Sequence, residues 1–526
     1  MSASREKQNR QEQQSSGWVD PKTAREAEQR KKEKRSSLLY GTIAVVFVLV
    51  AAIAIIYRTN IIPKVVTAAT IDGETYTAAE VSFYYLNAYQ NIAGSGYASY
   101  LGLDTSASLK DQTITEDSVS MISAMGYGEA EAGETWYDFI LNTALKQMAQ
   151  VQNALAAAEA EGFTYPEGVQ AQYDDSMTTL TAAAQASGVS VDQYLANAFG
   201  TSLVNESLYG EQLMRMLQFE AYANAYADSL TYDDTTLEET YSADPNSYDK
   251  VSYESVSISG AAESTTDEEG NTVEPTEEES AAALAAAESI ANSILSDYQA
   301  GENLETLAGV EGGTYVNQES SSYSSITTTL AEWLFDETRE AGDTAVLESG
   351  TTYYVVVFHD RFREEYNSID VRHILVQPAA GTIASGEEGY EEEQEQLNAE
   401  AKTIADELLA EWQNGEATEE SFAALAMRDS TDGSKYDGGL YTRVCQGDMV
   451  EAFNDWCFDP ARQPGDTGVV ETEYGYHVMY FVGEDIPAWQ VAVSNTLASE
   501  DYTAWEDDLT ADSDISTSGF GLGFVG

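Results

Sequence analysis

The sequence is poor in cysteine, histidine and basic residues. Its 526 residues include two Cys, three His and 25 Lys and Arg. Two cysteines, Cys445 and Cys457, are too few for the disulfide framework that stabilises many small secreted domains. We expect them to be packed or idle thiols, with a disulfide between them as the alternative. A metal site needs more ligands than these cysteines and the scattered histidines offer, so neither a metal nor another cofactor is expected.

The charge is strongly acidic and unevenly distributed. The 25 basic residues face 90 Asp and Glu, a formal net charge of −65, which argues against nucleic acid as a partner. Residues 1–37 contain ten basic and six acidic residues, so the remainder carries 15 basic against 84 acidic residues. Such a surface stays soluble and repels anionic wall or membrane polymers. A solvated face without a specific role is the simpler interpretation.

An uncharged apolar stretch, Leu38–Tyr57, follows the basic cluster Arg30–Arg35. As a helix it spans about 30 Å, the thickness of a bilayer core. Basic residues before it and few after it predict a single-pass membrane anchor, with a cytoplasmic tail (1–37) and the bulk of the chain outside. A cleaved signal peptide is the alternative, with Ala51–Ala54 as a poor cleavage signal, although secretory apolar regions are usually shorter.

Residues 58–245 are predicted to be mostly helical. The length of the chain suggests three to four domains at ~150 residues each. Val65–Glu80 has the pattern of a strand and turn, with Asp-Gly as the turn signal, and residues 94–133 are predicted to be an irregular insertion. Apolar residues recur at helical spacing in five other segments. These segments are Ala79–Ile92, Thr135–Ala160, Tyr173–Ala186, Val191–Phe199 and Ser207–Leu230.

An internal repeat occupies the second half of the chain. Residues 331–358 align with residues 454–481 without a gap, at an offset of 123. So many identities without a gap indicate a duplication, with copies at 246–365 and 366–487. The identical pairs include Trp333 and Trp456, Phe335 and Phe458, Arg339 and Arg462, Gly342 and Gly465, and Val355 and Val478.

The second copy contains five short motifs in a fixed order, and together they resemble the parvulin family of peptidyl-prolyl isomerases. The resemblance covers about residues 368–487, and its strength lies in the order of the motifs. It implies an α+β domain that isomerises X-Pro bonds without a cofactor. The motifs are His373–Val376, Ser430–Ser434, Asp437–Leu440, Gly447–Phe453 and Tyr474–Phe481.

The resemblance implies a proline pocket formed by Met449 and Phe453, with Leu440 alongside. The i, i+4 spacing of the first two places them on one helix face if a helix begins at Met449. Ordinary core packing is the alternative for these residues. The common Gly-Gly-Asp-Leu-Gly pattern of the family is altered here, because Leu440 directly follows the two glycines and the Asp is absent.

The resemblance also implies a polar floor of the site. His373 and His477 would lie side by side on neighbouring central strands, and Thr472 would bond one of them. Asp432 matches a family position occupied by cysteine or aspartate, where a carboxylate can shift the local electrostatics. The acidic loop Glu387–Glu395 would repel phosphoserine-proline substrates.

The first copy differs at these positions. Ser255 stands where the second copy has His373, and Tyr354 stands where it has His477. The motifs between the histidines are also missing from the first copy. We therefore predict that it is a degenerate parvulin-like domain with a structural or substrate-binding role.

The predicted fold class is α+β: a transmembrane helix, a helical domain that resembles the chaperone domain of PrsA/SurA-type foldases, and two parvulin-like domains followed by a tail (488–526). The expected function is that of a membrane-anchored, extracytoplasmic foldase that binds unfolded secreted chains and isomerises their X-Pro bonds. One alternative is a holdase with a vestigial isomerase domain. A structural surface adhesin is a second alternative, favoured by the acidic composition but not by the motifs.

Overall fold

A computed structural model describes residues 62–526 apart from 267–269 and 271. The predicted cytoplasmic tail (1–37) and transmembrane helix (Leu38–Tyr57) lie outside the described residues. None of the helices in the described part is long and apolar enough to cross a membrane. The chain divides into two compact units. Unit 1 comprises the described residues up to Ala160 with Asp175–Met216 and Asp508–Gly526, and unit 2 comprises Glu161–Asp174 and Leu217–Asp507.

The N-terminal half is mostly helical, as the periodicity predicts. A hairpin of β1 (Thr67–Ile71) and β2 (Glu74–Thr77) leads into the first helix, whose N-terminus has a capping box formed by Thr77 and Glu80. Residues 94–133, predicted to be irregular, contain a helix that the side chain of Thr115 caps. The helices are α1 (Ala78–Ala93), α2 (Glu116–Ala124), α3 (Trp136–Glu161), α4 (Glu167–Ala186), α5 (Val191–Phe199), α6 (Glu206–Ser229) and α7 (Asp234–Ala243).

The residues after 487 are folded, in contrast to the predicted tail. The helix α14 (Ala488–Ala511) buries Trp489 and Val493 together with Leu237. The strand β13 (Ile515–Thr517) pairs antiparallel with β1, and α15 (Gly519–Leu522) follows it. The sheet of unit 1 therefore has the order β13-β1-β2.

Unit 2 contains two four-stranded sheets of the same topology. Their strand orders are β6-β3-β8-β7 and β10-β9-β12-β11. In each copy two helices follow the first strand and a short helix precedes the last hairpin, so the two copies have the same order of elements apart from a small additional hairpin in the first copy. The first copy consists of β3 (Lys250–Ser259), a small hairpin of β4 (Thr265–Thr266) and β5 (Thr272–Val273), α8 (Glu277–Gln299), α9 (Leu304–Glu311), β6 (Thr314–Ser322), α10 (Thr328–Leu334), β7 (Thr344–Ser349) and β8 (Thr352–Phe362). The second consists of β9 (Asn367–Val376), α11 (Tyr390–Asn414), α12 (Glu419–Asp429), β10 (Leu440–Val444), α13 (Glu451–Cys457), β11 (Thr467–Thr472) and β12 (Gly475–Pro487).

The strand register preserves the repeat. In the second copy His373 lies opposite Met479, and in the first copy Ser255 lies opposite Val356, the residue 123 positions before Met479. The arginines of the repeat stack alike: the guanidinium of Arg462 lies 3.9 Å from the Trp456 ring centre, and that of Arg339 lies 4.5 Å from the Trp333 ring centre. The backbone thus supports the duplication inferred from sequence.

The sheet of the second copy separates two apolar layers. Side chains alternate between the faces of a strand, so neighbouring residues of β9 enter different layers. Ile374 and Val376 pack with the helices α11 and α12, whereas Ile369 and Val371 pack with α13. Cys445 and Cys457 are both free thiols, and burial raises the pKa of Cys445 to about 11 and that of Cys457 to about 12.

Candidate active site

The two histidines of the second copy meet in the middle of its sheet. His373 on β9 and His477 on β12 lie on neighbouring antiparallel strands, two residues apart in register, on the face covered by α13. Their Nδ1 atoms are 3.0 Å apart, and the rings stack at 5.2 Å between centroids. Both side chains are almost fully buried, 2% exposed for His373 and 5% for His477. The predicted adjacency of the histidines is present in the structure.

A carboxylate completes the polar row on one side. Oδ1 of Asp432 lies 3.3 Å from Nε2 of His373. The same oxygen accepts hydrogen bonds from the backbone N–H and the hydroxyl of Ser434, at 2.9 and 2.5 Å, and from the hydroxyl of Tyr441 at 3.0 Å. The His373 Nε2 atom also lies 3.2 Å from Oγ of Ser434. Asp432 is therefore held by groups from three segments of the domain.

A hydroxyl completes the row on the other side. Oγ1 of Thr472 lies 2.8 Å from Nε2 of His477, and the same oxygen accepts the backbone N–H of Tyr474 at 3.2 Å. Thr472 thus bonds His477, as the sequence predicted. The four polar residues form one continuous chain of hydrogen bonds, in the order Asp432, His373, His477 and Thr472.

The hydrogen-bonding partners determine which ring nitrogens of the two histidines carry a hydrogen. An ionised Asp432 only accepts, so Nε2 of His373 carries a hydrogen. With His373 neutral, its Nδ1 accepts, and Nδ1 of His477 donates. Nε2 of His477 then accepts the hydroxyl hydrogen of Thr472. In this arrangement every ring nitrogen has a hydrogen-bonding partner.

The pKa values follow from this arrangement. The hydrogen bond with His373 and those from Ser434 hold the pKa of Asp432 well below its usual range, although burial opposes them. Burial lowers the pKa of His477 to about 4. At neutral pH the site therefore contains an ionised Asp432 and a neutral His477, with His373 between them.

Apolar side chains cover the histidines. The ring of Phe453 stands edge-on to both imidazoles, at 5.6 Å from His373 and 5.4 Å from His477. Phe453 is only 2% exposed, and Met449, four residues earlier, is partly buried in the same cluster but precedes α13, which begins at Glu451 and not at Met449. The structure thus places these two predicted pocket residues in one cluster, with Phe453 beside the histidines.

Leu440 is a correction to the prediction. It pairs with Arg372 in the ladder, whereas the next residue, Tyr441, pairs with Val371. Because neighbouring strand residues point to opposite faces, Tyr441 and not Leu440 lies on the face of the histidines. The Tyr441 ring stacks on His373 at 5.0 Å and belongs to the cluster of Met449. The one-residue difference arises because the two glycines before Leu440 set the phase of the strand.

Local sequence explains why the loop closes on the histidine strand. Gly439 has a φ of +73°, and a Cβ atom there would lie 2.2 Å from the His373 carbonyl oxygen. The close approach allows the His373 N–H to donate to the Gly439 carbonyl at 2.8 Å. The hydroxyl of Ser430 accepts the N–H of Leu375 at 3.0 Å, which fixes the loop on the other side of Asp432.

Two polar contributors escaped the sequence analysis. Ser434 lies inside a quoted motif, and its spacing of two residues after Asp432 is typical of an Asp-turn hydrogen bond. Tyr441 has no such local signal, because its contact with Asp432 depends on the strand phase.

The site can act on a peptide bond without covalent chemistry. Rotation about this bond has a barrier of ~18–20 kcal/mol because of its partial double-bond character. A catalyst lowers the barrier by binding the twisted amide more tightly than the planar one. Apolar side chains beside a fixed carboxylate and paired imidazoles offer such differential binding. In the described part of the chain, no group of three or more His, Cys, Asp or Glu side chains is arranged to hold a metal.

Comparisons with known proteins agree with this chemistry. Residues 353–483 match the family model described as a PPIC-type PPIase domain. No similar protein was found among curated sequences.

Three solved structures illustrate the structural matches. PrsA from Bacillus subtilis is 14% identical, with 74% of this chain and 93% of that chain covered and a TM-score of 0.28. The peptidylprolyl isomerase PrsA from Bacillus anthracis is 20% identical over 28% of this chain and 58% of its own, with a TM-score of 0.18. A SurA-like chaperone from Campylobacter jejuni is 26% identical over 27% of this chain and 52% of its own, with a TM-score of 0.15.

The family match and the geometry of the site together define the second copy as a parvulin-type domain. These residues thus form a domain of the parvulin type of peptidyl-prolyl cis/trans isomerase, and the resemblance predicted from the five motifs is confirmed.

Proposed function

We propose that the protein is a membrane-anchored, extracytoplasmic foldase of the PrsA/SurA kind, which binds unfolded exported chains and isomerises their X-Pro bonds. The second parvulin-like copy supplies catalysis, and the first copy is a degenerate relative with a structural or binding role. Leu38–Tyr57 supplies the anchor, with residues 1–37 in the cytoplasm and the remainder outside.

The observation that carries the catalytic part is the continuous hydrogen-bonded row from Asp432 to Thr472 under Phe453. Burying two histidines is costly unless their nitrogens are paired. A domain that served only as a scaffold could fill the same space with apolar residues, as the first copy does around Tyr354 and Leu330. The intact row supports an active isomerase over a holdase with a vestigial site.

A cleft in unit 1 supports the binding of unfolded chains. It has a volume of about 690 Å³ and lies between helices α1 and α3. Carboxamide side chains both donate and accept, so they match the backbone groups of an extended peptide of any sequence. Apolar Ile92, Phe139 and Met216 line the same cleft and would hold apolar side chains. The carboxamides of the cleft are Asn87, Asn91, Asn142, Gln147 and Gln150.

A refolding assay tests the catalytic part. The soluble portion, residues 62–526, is added to a client protein whose refolding is limited by X-Pro isomerisation, a step of tens of seconds without catalysis. We expect a faster slow phase with the wild type and no acceleration with a variant that carries both Asp432→Ala and His477→Ala. Suppressed aggregation without acceleration by the wild type would instead identify a holdase.

Protease treatment of intact cells tests the topology. After the wall is opened, the parvulin domain should be digested and a short N-terminal fragment should remain protected by the membrane. A protected parvulin domain would reverse the topology and remove exported chains as the substrates. Release of a soluble form that begins near Ala54 would support the cleaved signal peptide.

A further inference from the structure

We propose that Tyr441 is a positioning residue of the isomerase, whose hydroxyl fixes the Asp432 carboxylate and whose ring forms the wall of the proline pocket next to His373. This proposal rests on the isomerase activity of the second copy and adds a residue that its motifs do not contain.

Two independent contacts place Tyr441 in the site. Its hydroxyl donates to Oδ1 of Asp432 at 3.0 Å, and its ring stacks on His373 at 5.0 Å between centroids with an interplanar angle of 24°. The residue is also packed in the cluster that contains Met449 and Phe453. One side chain therefore contacts both the polar row and the apolar pocket.

Apart from its contacts with His373 and Tyr441, the Asp432 carboxylate is held only by its own turn. Ser434 donates twice to Oδ1 of Asp432, but both bonds come from the same turn, two residues away. Tyr441 belongs to β10 and reaches the same oxygen from the sheet. Removing that bond leaves the carboxylate held only by its own loop and by His373, so its orientation relative to the imidazole is less restricted.

The ring of Tyr441 has a second effect. It lies flat against His373, whereas Phe453 stands edge-on to the same imidazole, at an interplanar angle of 81°. The two aromatic side chains thus approach His373 from different directions. The ring of Tyr441 limits the width of the pocket and thereby affects which residue can accompany the proline.

The charged and titratable groups around the carboxylate give the proposal a pH signature. Asp432 contacts His373 from β9 and Tyr441 from β10, and its charge also acts on His477 from β12. A hydrogen bond to the ionised form of an acid favours that form. Loss of the Tyr441 hydroxyl should therefore raise the pKa of Asp432, and the acid limb of the activity profile should move to higher pH.

The decisive variant is Tyr441→Phe in the soluble chain, residues 62–526, assayed on a short X-Pro peptide. We expect kcat to fall about tenfold, the effect of one charge-assisted hydrogen bond, with KM nearly unchanged. Tyr441→Leu, which also removes the ring, should raise KM as well. The matched control is Tyr315→Phe in the first copy, which removes a tyrosine hydrogen bond to Glu254 and should leave kcat and KM unchanged.

A double-mutant cycle tests whether Tyr441 acts through Asp432. If it does, Tyr441→Phe has no further effect on kcat in an Asp432→Ala background. Equal fold-losses in both backgrounds would overturn the positioning role. A tenfold loss with Tyr315→Phe would overturn it too, because the effect would not be local to the site.

A second readout does not depend on activity. The chain has only three histidines, so ¹⁵N-histidine labelling gives a simple spectrum. In the wild type the shifts should show His373 with its hydrogen on Nε2, and in Tyr441→Phe they should show a mixture of tautomers. Unchanged shifts and an unchanged acid limb would contradict the proposal. A wild type without isomerase activity but with a Tyr441-dependent tautomer would remove the proposed function and leave the contact intact.

Discussion

The two copies in unit 2 have one backbone and different interiors. Both sheets have the same strand order, and both pack a short helix, α10 or α13, on the same face. In the second copy that face contains two paired histidines, whereas in the first copy it contains Ser255 and Tyr354 within an apolar cluster. Under the proposed function, the difference between an active and an inactive copy lies in a few polar residues on the central strands and not in the topology.

The largest expected difference in activity between the two copies concerns Phe453, the aromatic residue of the short helix α13. Phe453→Ala should abolish isomerisation, because it removes the ring that covers both imidazoles. The matched variant is Leu330→Ala, at the same position of the first copy, and it should leave activity intact. If Phe453 lined an open pocket, its truncation would leave the fold unaffected. Because Phe453 is only 2% exposed, we instead expect Phe453→Ala to lower the free energy of unfolding by ~3–5 kcal/mol.

Kinetics and thermal unfolding of the two variants check this prediction. Phe453→Leu removes the ring but retains apolar volume, so it serves as a variant that should remain folded. Normal activity in Phe453→Ala would show that this ring is only part of the core. Loss of activity in Leu330→Ala without unfolding would assign catalysis to both copies.

A second difference concerns pH. The folded protein holds the pKa of His477 at about 4, below its ordinary value of 6.5, so the unfolded state binds more protons between these values. The stability contributed by neutral His477 is complete above about pH 6.5 and decreases as the pH falls towards 4. Asp432, whose pKa is also lowered, adds a loss in the same direction below its ordinary value of 3.8.

Denaturant unfolding between pH 7 and pH 4 measures this effect. His477→Tyr gives the second copy the residue of the first, Tyr354, and should flatten the dependence above pH 4. A wild-type curve as flat as that of the variant would show that folding does not lower the pKa of His477.

A smaller effect should be shared by both copies. Arg462 lies over Trp456 and also donates to its carbonyl at 2.9 Å, while Arg339 lies over Trp333. Arg339→Lys should lower the free energy of unfolding by about 0.5–1 kcal/mol, and Arg462→Lys should lower it somewhat more. Isomerase activity should persist in both. Thermal unfolding provides the measurement, and a stabilising substitution at either position would contradict the shared packing role.

The smallest expected effect is on the binding of unfolded chains. A variant with both His373→Ala and His477→Ala should lose catalysis but still suppress the aggregation of a denatured client, because the cleft of unit 1 does not include these residues. Light scattering of the client provides the measurement. A folded variant that no longer suppresses aggregation would tie binding to the active site.

Sequence reasoning was strongest where a pattern is local or repeated. Helical periodicity predicted α1, α3 and α5 to within a few residues, and the offset of 123 anticipated the common topology of the two sheets. The histidine pair followed from motif order, since neighbouring strands of one sheet were expected to carry both residues.

The failures have a common physical cause. The resemblance implied Leu440 beside the pocket, whereas Tyr441 lies on that face, because the phase of a strand depends on its pairing and a slip of one residue exchanges the two faces. The strand β13 was missed because it is three exposed residues long and its partner lies far away in the sequence. Non-local pairing leaves no periodic signal in so short a segment.

The pairing of β13 with β1 also bears on the order of assembly. Ala69 lies opposite Thr517, so the central strand of the unit 1 sheet receives its second neighbour only when residues near the end of the sequence are present. During synthesis one edge of β1 would remain unpaired while both copies of unit 2 are synthesised and fold. Such long-range closure is slow, since a large loop must form before any contact stabilises it. The sheet of unit 1 would thus be completed only after both copies of unit 2 have been synthesised.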